Sequence, residues 1–330
     1  MIILIHELGH FTVAKLSGIK VNEFAIGMGP KLLSFGKGET KYSLRLIPMG
    51  GYVQMEGEDE ASEDERAFNQ KPVWKRFLVV IAGAVMNIIL GLVLVAILLT
   101  QQNLIGTTQI AGFHENASSQ SSGLQEGDVI THINGTSVWS DRDISFLMAR
   151  DRDGVIDFTV KRDGQKTELK NVKFDTREVD GQTVITFDFI IIGENKTFWN
   201  VLKTSFLETA SMARLVWLSL FDLVTGRFGL SDLAGPVGTV SVIAEATTSG
   251  GFLNALSLMA FITINIGVFN LLPIPGLDGG RLFFLIIEGI RRKPINPKRE
   301  GMIHAIGLVL MFALIAVVTF NDILRLIRGG

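Results

Sequence analysis

The stretch Ile3–Lys15, ILIHELGHFTVAK, sets two histidines and a glutamate inside an apolar run. Ionisable groups in such a run are costly in lipid and need a compensating partner. His6 and His10 are four residues apart, so on a helix they share a face. The pattern His6-Glu7-Leu8-Gly9-His10 is His-Glu-x-x-His, whose two imidazoles can reach one zinc ion. Glu7 lies about 100° further round the helix, where it can act on a water beside that ion. The alternative is a pair of core histidines satisfied by backbone groups. Only five residues precede His6, about 7.5 Å of helix, so the first span, residues 1–19, is expected to be short on its N-terminal side. It lacks the charged n-region and cleavage site of a signal peptide.

The rest of the chain is apolar to match. Of 330 residues, 47% are hydrophobic, and the mean hydropathy is +0.36. That composition fits a multi-span membrane protein with one soluble part. A net charge of −2 argues against nucleic acid as a partner. With no cysteine, disulfides and thiolate metal sites are excluded, and a transition metal must be held by His, Asp or Glu.

Phe77–Thr100 is free of charged residues and long enough to cross a bilayer core of about 30 Å. Gly250–Leu277 is a second such run, and Met302–Phe320 a third, interrupted only by His304. Spans are therefore expected over 77–100, 250–288 and 302–321. With the opening segment they make a polytopic α-helical membrane protein of about four transmembrane helices. Lys71, Lys75 and Arg76 precede the second span, and Arg291, Arg292, Lys293, Lys298 and Arg299 precede the last. Positive loops mark the cytoplasmic side, which places residues 101–195 outside the cytoplasm.

That external part alternates apolar and polar residues, as in VIDFTVKRDG and TVITFDF, with Asp-Gly turns. Gly123–Val138, GLQEGDVITHINGTSV, resembles the signature of a PDZ domain, which binds extended peptides by adding a strand to a sheet edge. An inserted extracytoplasmic PDZ domain with a following β segment is therefore expected over 107–195. The other reading is a small β domain without a ligand. Residues 196–226 carry an apolar stripe, Phe198, Val201, Leu202, Phe206, Val216 and Trp217 among it, with Lys203, Glu208, Arg214 and Asp222 opposite. This pattern suits an amphipathic interfacial helix, with a fifth span as the other reading.

Residues 20–76 form a cytoplasmic-side loop in which Val21–Met55, punctuated by glycine, reads as a membrane-associated β-hairpin. Glu56–Glu65 is an acidic run, expected to be a solvated loop without chemistry.

Catalytic zinc needs a third protein ligand and an open position. His114 and His132 belong to the external part, and His304 suits an interfacial role. Asp278 is the better choice. It follows the apolar run within NIGVFNLLPIPGLDGGRLFF, Asn265–Phe284, where Pro273 and Pro275 break the helix and a buried carboxylate needs a cationic partner.

The pairing of His6-Glu-x-x-His10 with Asn270-x-x-Pro273-x-Pro275-x-Leu277-Asp278-Gly279 resembles the site-2 protease family of intramembrane zinc metalloproteases. The likeness is to the bacterial branch with a PDZ domain, which includes regulator of sigma-E protease-like members. Ala82–Asn87, AGAVMN, and Leu233–Gly238, LAGPVG, are similar to family segments, with Ala84 where the family often has proline. Relatives carry roughly a dozen more apolar residues before the zinc motif, enough to complete a span. The resemblance implies Zn2+ held by His6, His10 and Asp278, Glu7 as the catalytic base, and Asn270 as substrate-binding. It implies that the hairpin is re-entrant and presents the substrate as a strand. It also implies single-span membrane protein substrates, anti-sigma factors or signal-peptide remnants, already cut by an upstream site-1-type protease. The location implied is the bacterial plasma membrane, with the active site toward the cytoplasm. The competing reading is a non-catalytic membrane adaptor with a peptide-binding PDZ domain and a structural metal, for which Glu7 would be superfluous. A soluble zincin is opposed by the three long apolar runs.

Overall fold

The computed structural model describes the chain except residues 37, 59, 61, 152, 180, 181, 227–235, 329 and 330, with the backbone alone at 49, 179, 182, 224, 236–250, 297 and 325–328. The segment Leu233–Gly238 lies outside the described residues apart from the backbone of its last three. The chain divides into two units, Met1–Leu94 with Leu215–Gly330, and Val95–Arg214.

The first unit begins with helix α1 (Ile2–Leu16), followed by strands β1 (Val21–Phe35) and β2 (Lys41–Met55). The two strands pair antiparallel, but both are bent and each is used twice. Glu23–Ile26 pairs with Gly51–Gln54 on one side and with Lys41–Leu44 on the other, and Leu33–Phe35 pairs with Tyr42–Leu44. Two long strands thus build a small four-stranded ribbon whose outer edges are Gly51–Gln54 and Leu33–Phe35. Its base joins α1 in an apolar core of Ala14, Ile19, Val21, Phe24, Val53 and Met55. Outside that core the ribbon exposes Met28, Leu32, Leu33, Phe35 and Leu46. Glu23, almost buried, accepts from Lys31 at 3.0 Å and Arg45 at 3.1 Å and from the Ser43 hydroxyl.

Helix α2 (Val73–Gln101) follows. Its 29 residues run about 43 Å, more than a bilayer core. Three stretches among the described residues are long and apolar enough to cross a membrane: Val73–Gln101, Gly251–Phe269 and Lys298–Leu324. They fall on α2, on α6 (Pro236–Phe269) and on α8 (Pro297–Arg328); α6 kinks at Gly251. The region expected as one span over 250–288 is two helices. The Pro273–Pro275 segment lies between the end of α6 and α7 (Asp278–Arg291), because proline removes backbone donors and forces the residue before it out of the helix.

The second unit contains strands β3 (Ile105–Phe113), β4 (Val129–Ile133), β5 (Thr136–Ser137), β6 (Val155–Arg162), β7 (Gln165–Lys173), β8 (Thr176–Val179), β9 (Gln182–Ile185) and β10 (Phe189–Glu194). It also holds helices α3 (Ser118–Ser121) and α4 (Asp141–Ala149) and the first turns of α5 (Phe198–Val224). The main sheet has the order β10-β3-β4-β6-β7, with β5 beside β4 and all pairings antiparallel. Alternation along β6 buries Ile156, Phe158 and Val160, and Ile130, Ile133 and Val172 of the neighbouring strands are buried too, each worth about 1.5–3 kcal/mol. The Gly-Asp turn before β4 is fixed by Asp128, fully buried, which accepts from Arg162 Nε at 2.7 Å and Nη2 at 2.8 Å.

Helix α5 buries the side that its sequence marks as polar. Glu208, Ser205, Thr209 and Ser211 are buried, whereas Phe198, Trp199, Leu202 and Phe206 are exposed. Two ion pairs account for this. Arg142 Nε meets Glu208 Oε2 at 2.9 Å, and Arg214 Nη2 meets Asp143 Oδ2 at 3.0 Å. Arg214 lies over the Trp139 ring, 4.0 Å from its centre, and Ser211 donates to Asp143. Burial, opposed by Arg142 and reinforced by Asp141 and Asp143, pushes the Glu208 carboxyl up to about 7.

Candidate metal centre

His6 and His10 lie on the buried face of α1. Their Nε2 atoms are 3.2 Å apart. Asp278 Oδ2 lies 3.1 Å from His6 Nε2 and 3.3 Å from His10 Nε2. This is the one group of three or more such ligands among the described residues. The donor set is two imidazole nitrogens and a carboxylate oxygen. Tetrahedral zinc with bonds of about 2.0–2.2 Å holds its ligands about 3.3 Å apart, so the triangle fits the ion. A second observation agrees: Asp278 Oδ2 is buried, yet makes no hydrogen bond among the described residues. An unsatisfied buried carboxylate oxygen between two imidazoles is the place for a cation.

Asp278 opens α7, where the helix dipole favours a negative charge. The loop before it folds tightly over that helix end. A Cβ on Gly279 would lie 2.0 Å from the Leu272 carbonyl oxygen, so only glycine fits. The Gly279 N–H donates to the Asn270 carbonyl at 2.6 Å, closing the loop across its base. The Asn270 side chain makes no hydrogen bond among the described residues and is half-buried.

Glu7 is half-buried, and its carboxylate makes no hydrogen bond among the described residues. Its Cγ is 3.3 Å from where a Cβ on Gly51 would be, so it lies against the outer edge of the ribbon. Segment 56–66 is not the free loop that its charge suggests. Asn22 donates to Glu56 at 3.0 Å and Lys20 to Asp64 at 3.2 Å. Arg281 pairs with Glu58 through its side chain and donates to the Glu58 carbonyl at 3.0 Å. One turn after Asp278, Arg281 thus ties this acidic segment to α7.

Three residues of α2, Val79, Gly83 and Asn87, complete the surroundings, the last two within the Ala82–Asn87 segment. The Val79 carbonyl meets His10 Nδ1 at 2.8 Å. Gly83 leaves room for both rings, because a Cβ there would be 2.4 Å from His10 Nε2 and 2.7 Å from His6 Cε1. Asn87, fully buried, meets His6 Nδ1 at 3.3 Å. An amide within an otherwise apolar span is the signal that could have found it. His304 joins none of this; its Nδ1 accepts the Gly276 N–H at 2.9 Å. His114 and His132 belong to the second unit.

Two imidazoles from one helix and a carboxylate from a second make a donor set that fits a zinc ion, and Glu7 lies on the helix that bears the imidazoles. The model of Peptidase family M50 matches residues 1–314. A Clostridium acetobutylicum protein assigned as a zinc metalloprotease is 40% identical, over 98% of this chain and 94% of its own length. The regulator of sigma-W protease RasP of Bacillus subtilis is 31% identical, over 98% of this chain and 96% of its own. The zinc metalloprotease RasP of Bacillus licheniformis is 32% identical, with 98% and 96% covered. The chain belongs to Peptidase family M50 and is a zinc-dependent, multi-pass membrane protease.

Proposed function

We propose that this protease cleaves peptide bonds within or near single transmembrane segments, with zinc held by His6, His10 and Asp278. The observation that supports this is the 3.1–3.3 Å triangle of donor atoms borne by helices of an apolar, membrane-spanning unit. The 15-residue α1 is taken as a fourth membrane helix, the ribbon as re-entrant, and the second unit as an extracytoplasmic PDZ domain with its following β segment.

When bound, zinc polarises the scissile carbonyl and lowers the pKa of a water to about 7. Glu7, having no partner, takes up that water's proton and returns it to the leaving amine. A transmembrane helix hides its carbonyls in hydrogen bonds, so the substrate must first unwind. Gly51–Gln54 pairs on one side only, and its free side, beside Glu7, can receive the unwound segment as an added strand. The unpaired Asn270 amide then holds the substrate backbone. The sheet unit outside the cytoplasm admits substrates that an upstream protease has already shortened. Anti-sigma factors of a sigma-W type pathway and signal-peptide remnants are the substrate classes that fit.

The test is the purified protein reconstituted with a panel of single-span peptides, with and without a chelator. Cleavage that stops with chelation and in Glu7→Gln, while that variant keeps its zinc, supports the reading. Full turnover in Glu7→Gln, or products only from soluble chains, overturns it.

A further inference from the structure

The two histidines of the metal centre are held differently. His10 Nδ1 faces the Val79 carbonyl at 2.8 Å, so its proton sits on Nδ1 and the Nε2 lone pair points at Asp278. His6 has no backbone acceptor in that role. Its Nδ1 faces the Asn87 amide at 3.3 Å through Nδ2. Asn87 is fully buried in α2, and its Oδ1 has no hydrogen-bond partner among the described residues. A donor facing a nitrogen that must itself donate, and an orphaned acceptor on the same amide, are resolved by one change. Turning the amide about its last torsion brings Oδ1 to His6 Nδ1 and satisfies both atoms.

We infer that Asn87 is a positioning residue for the metal centre, accepting the His6 Nδ1–H and so presenting Nε2 to the ion. The inference rests on the zinc assignment above and deepens it. Residues 79, 83 and 87 lie at successive i+4 positions, on one face of α2. That face supplies a carbonyl for His10, a gap for both rings and an amide for His6. The group that faces His6 is a side chain, and an asparagine can turn either end to suit. Apolar residues of the same size would fill the space and leave the imidazole free to rotate or to change tautomer.

The test is zinc affinity by competition with graded chelators, alongside the visible spectrum of the cobalt-loaded protein. Asn87→Leu removes the acceptor, and Asn87→Asp keeps one. Zinc should bind about tenfold to hundredfold more weakly in Asn87→Leu, with altered cobalt bands, and Asn87→Asp should restore both. Unchanged affinity in Asn87→Leu overturns the inference. So does an Asn87→Asp protein that folds but binds as weakly as Asn87→Leu, which would make the role one of fit alone. If Asn87→Leu does not fold, Asn87→Asp decides by the same measure. The parent protein separates this from the wider reading: absence of zinc there, or zinc kept in His6→Ala, refutes the ligand assignment rather than the role of Asn87.

Discussion

Asp278 Oδ2 stands 3.1 Å from His6 Nε2, joining the opening helix to one near the other end of the chain. Asp278→Ala removes one of three donors and leaves two imidazoles that cannot hold the ion in a chelating solution. Zinc affinity should fall at least about a hundredfold, more than the loss expected of Asn87→Leu. Metal content by elemental analysis after mild chelator dialysis reads this directly. Retained zinc and turnover would refute the assignment.

Gly83 and Gly91 lie on the same helix and both lack room for a methyl group. A Cβ at Gly83 would strike His10, and one at Gly91 would come within 2.3 Å of Ile264 Cγ1. Gly83→Ala should therefore displace the imidazoles and cost zinc and activity together. Gly91→Ala should cost about 1–3 kcal/mol of stability through overpacking and leave zinc in place. Melting temperature and metal content, measured on both, separate the two effects.

Arg281 fixes segment 56–66 to α7 through Glu58. Arg281→Ala should loosen the segment by roughly 1–2 kcal/mol, a factor of about 5–30 in its open population. Limited digestion with a glutamate-specific endopeptidase should then cut within 56–66 faster by that factor. An unchanged digestion rate would mean that the other contacts of the segment suffice.

Asp143 has no exposed surface and takes up Arg214, Ser211 and the amides of Trp139 and Ser140. Arg214→Met leaves that carboxylate without its countercharge. The second unit should lose about 3–5 kcal/mol, as buried pairs do when one member is removed. Hydrogen exchange over α4 and the first turns of α5 would report it.

Glu208 gives the same unit a pH dependence. Desolvation raises its folded-state carboxyl to about 7, against 4.5 unshifted, with Arg142 opposing and Asp141 and Asp143 adding to the rise. The folded form then binds the proton more tightly than the unfolded form between these values. This group's contribution to stability accordingly falls as pH rises from about 4.5 to about 7. Glu208→Gln should flatten that slope. Melting curves of both proteins at pH 5, 6 and 7 decide it, and parallel curves would exclude Glu208 as the source.

Much of the site could be read from short-range patterns. The two histidines announce a shared helical face by spacing alone, and the prolines at 273 and 275 mark a broken helix before Asp278. The glycine-punctuated alternation of Val21–Met55 reads as paired strands. What could not be read depends on contacts between distant segments. Gly83 is an ordinary glycine until His10 packs onto it, and Asn87 gains meaning only from His6. In the acidic run, the sequence does not say that Arg281 will reach Glu58. In helix α5 the periodicity marks two faces, but Asp143 and Arg142, distant in sequence, decide that the polar one is buried.

The hydrogen bond from the Gly279 amide to the Asn270 carbonyl has a mechanical consequence. Under the proposed roles, the residue that grips the substrate and the residue that anchors the ion are stitched together across the neck of one loop. A polypeptide strand drawn against Asn270 therefore pulls on the coordination sphere as well, so a poorly seated chain would disturb the very atoms that have to cut it.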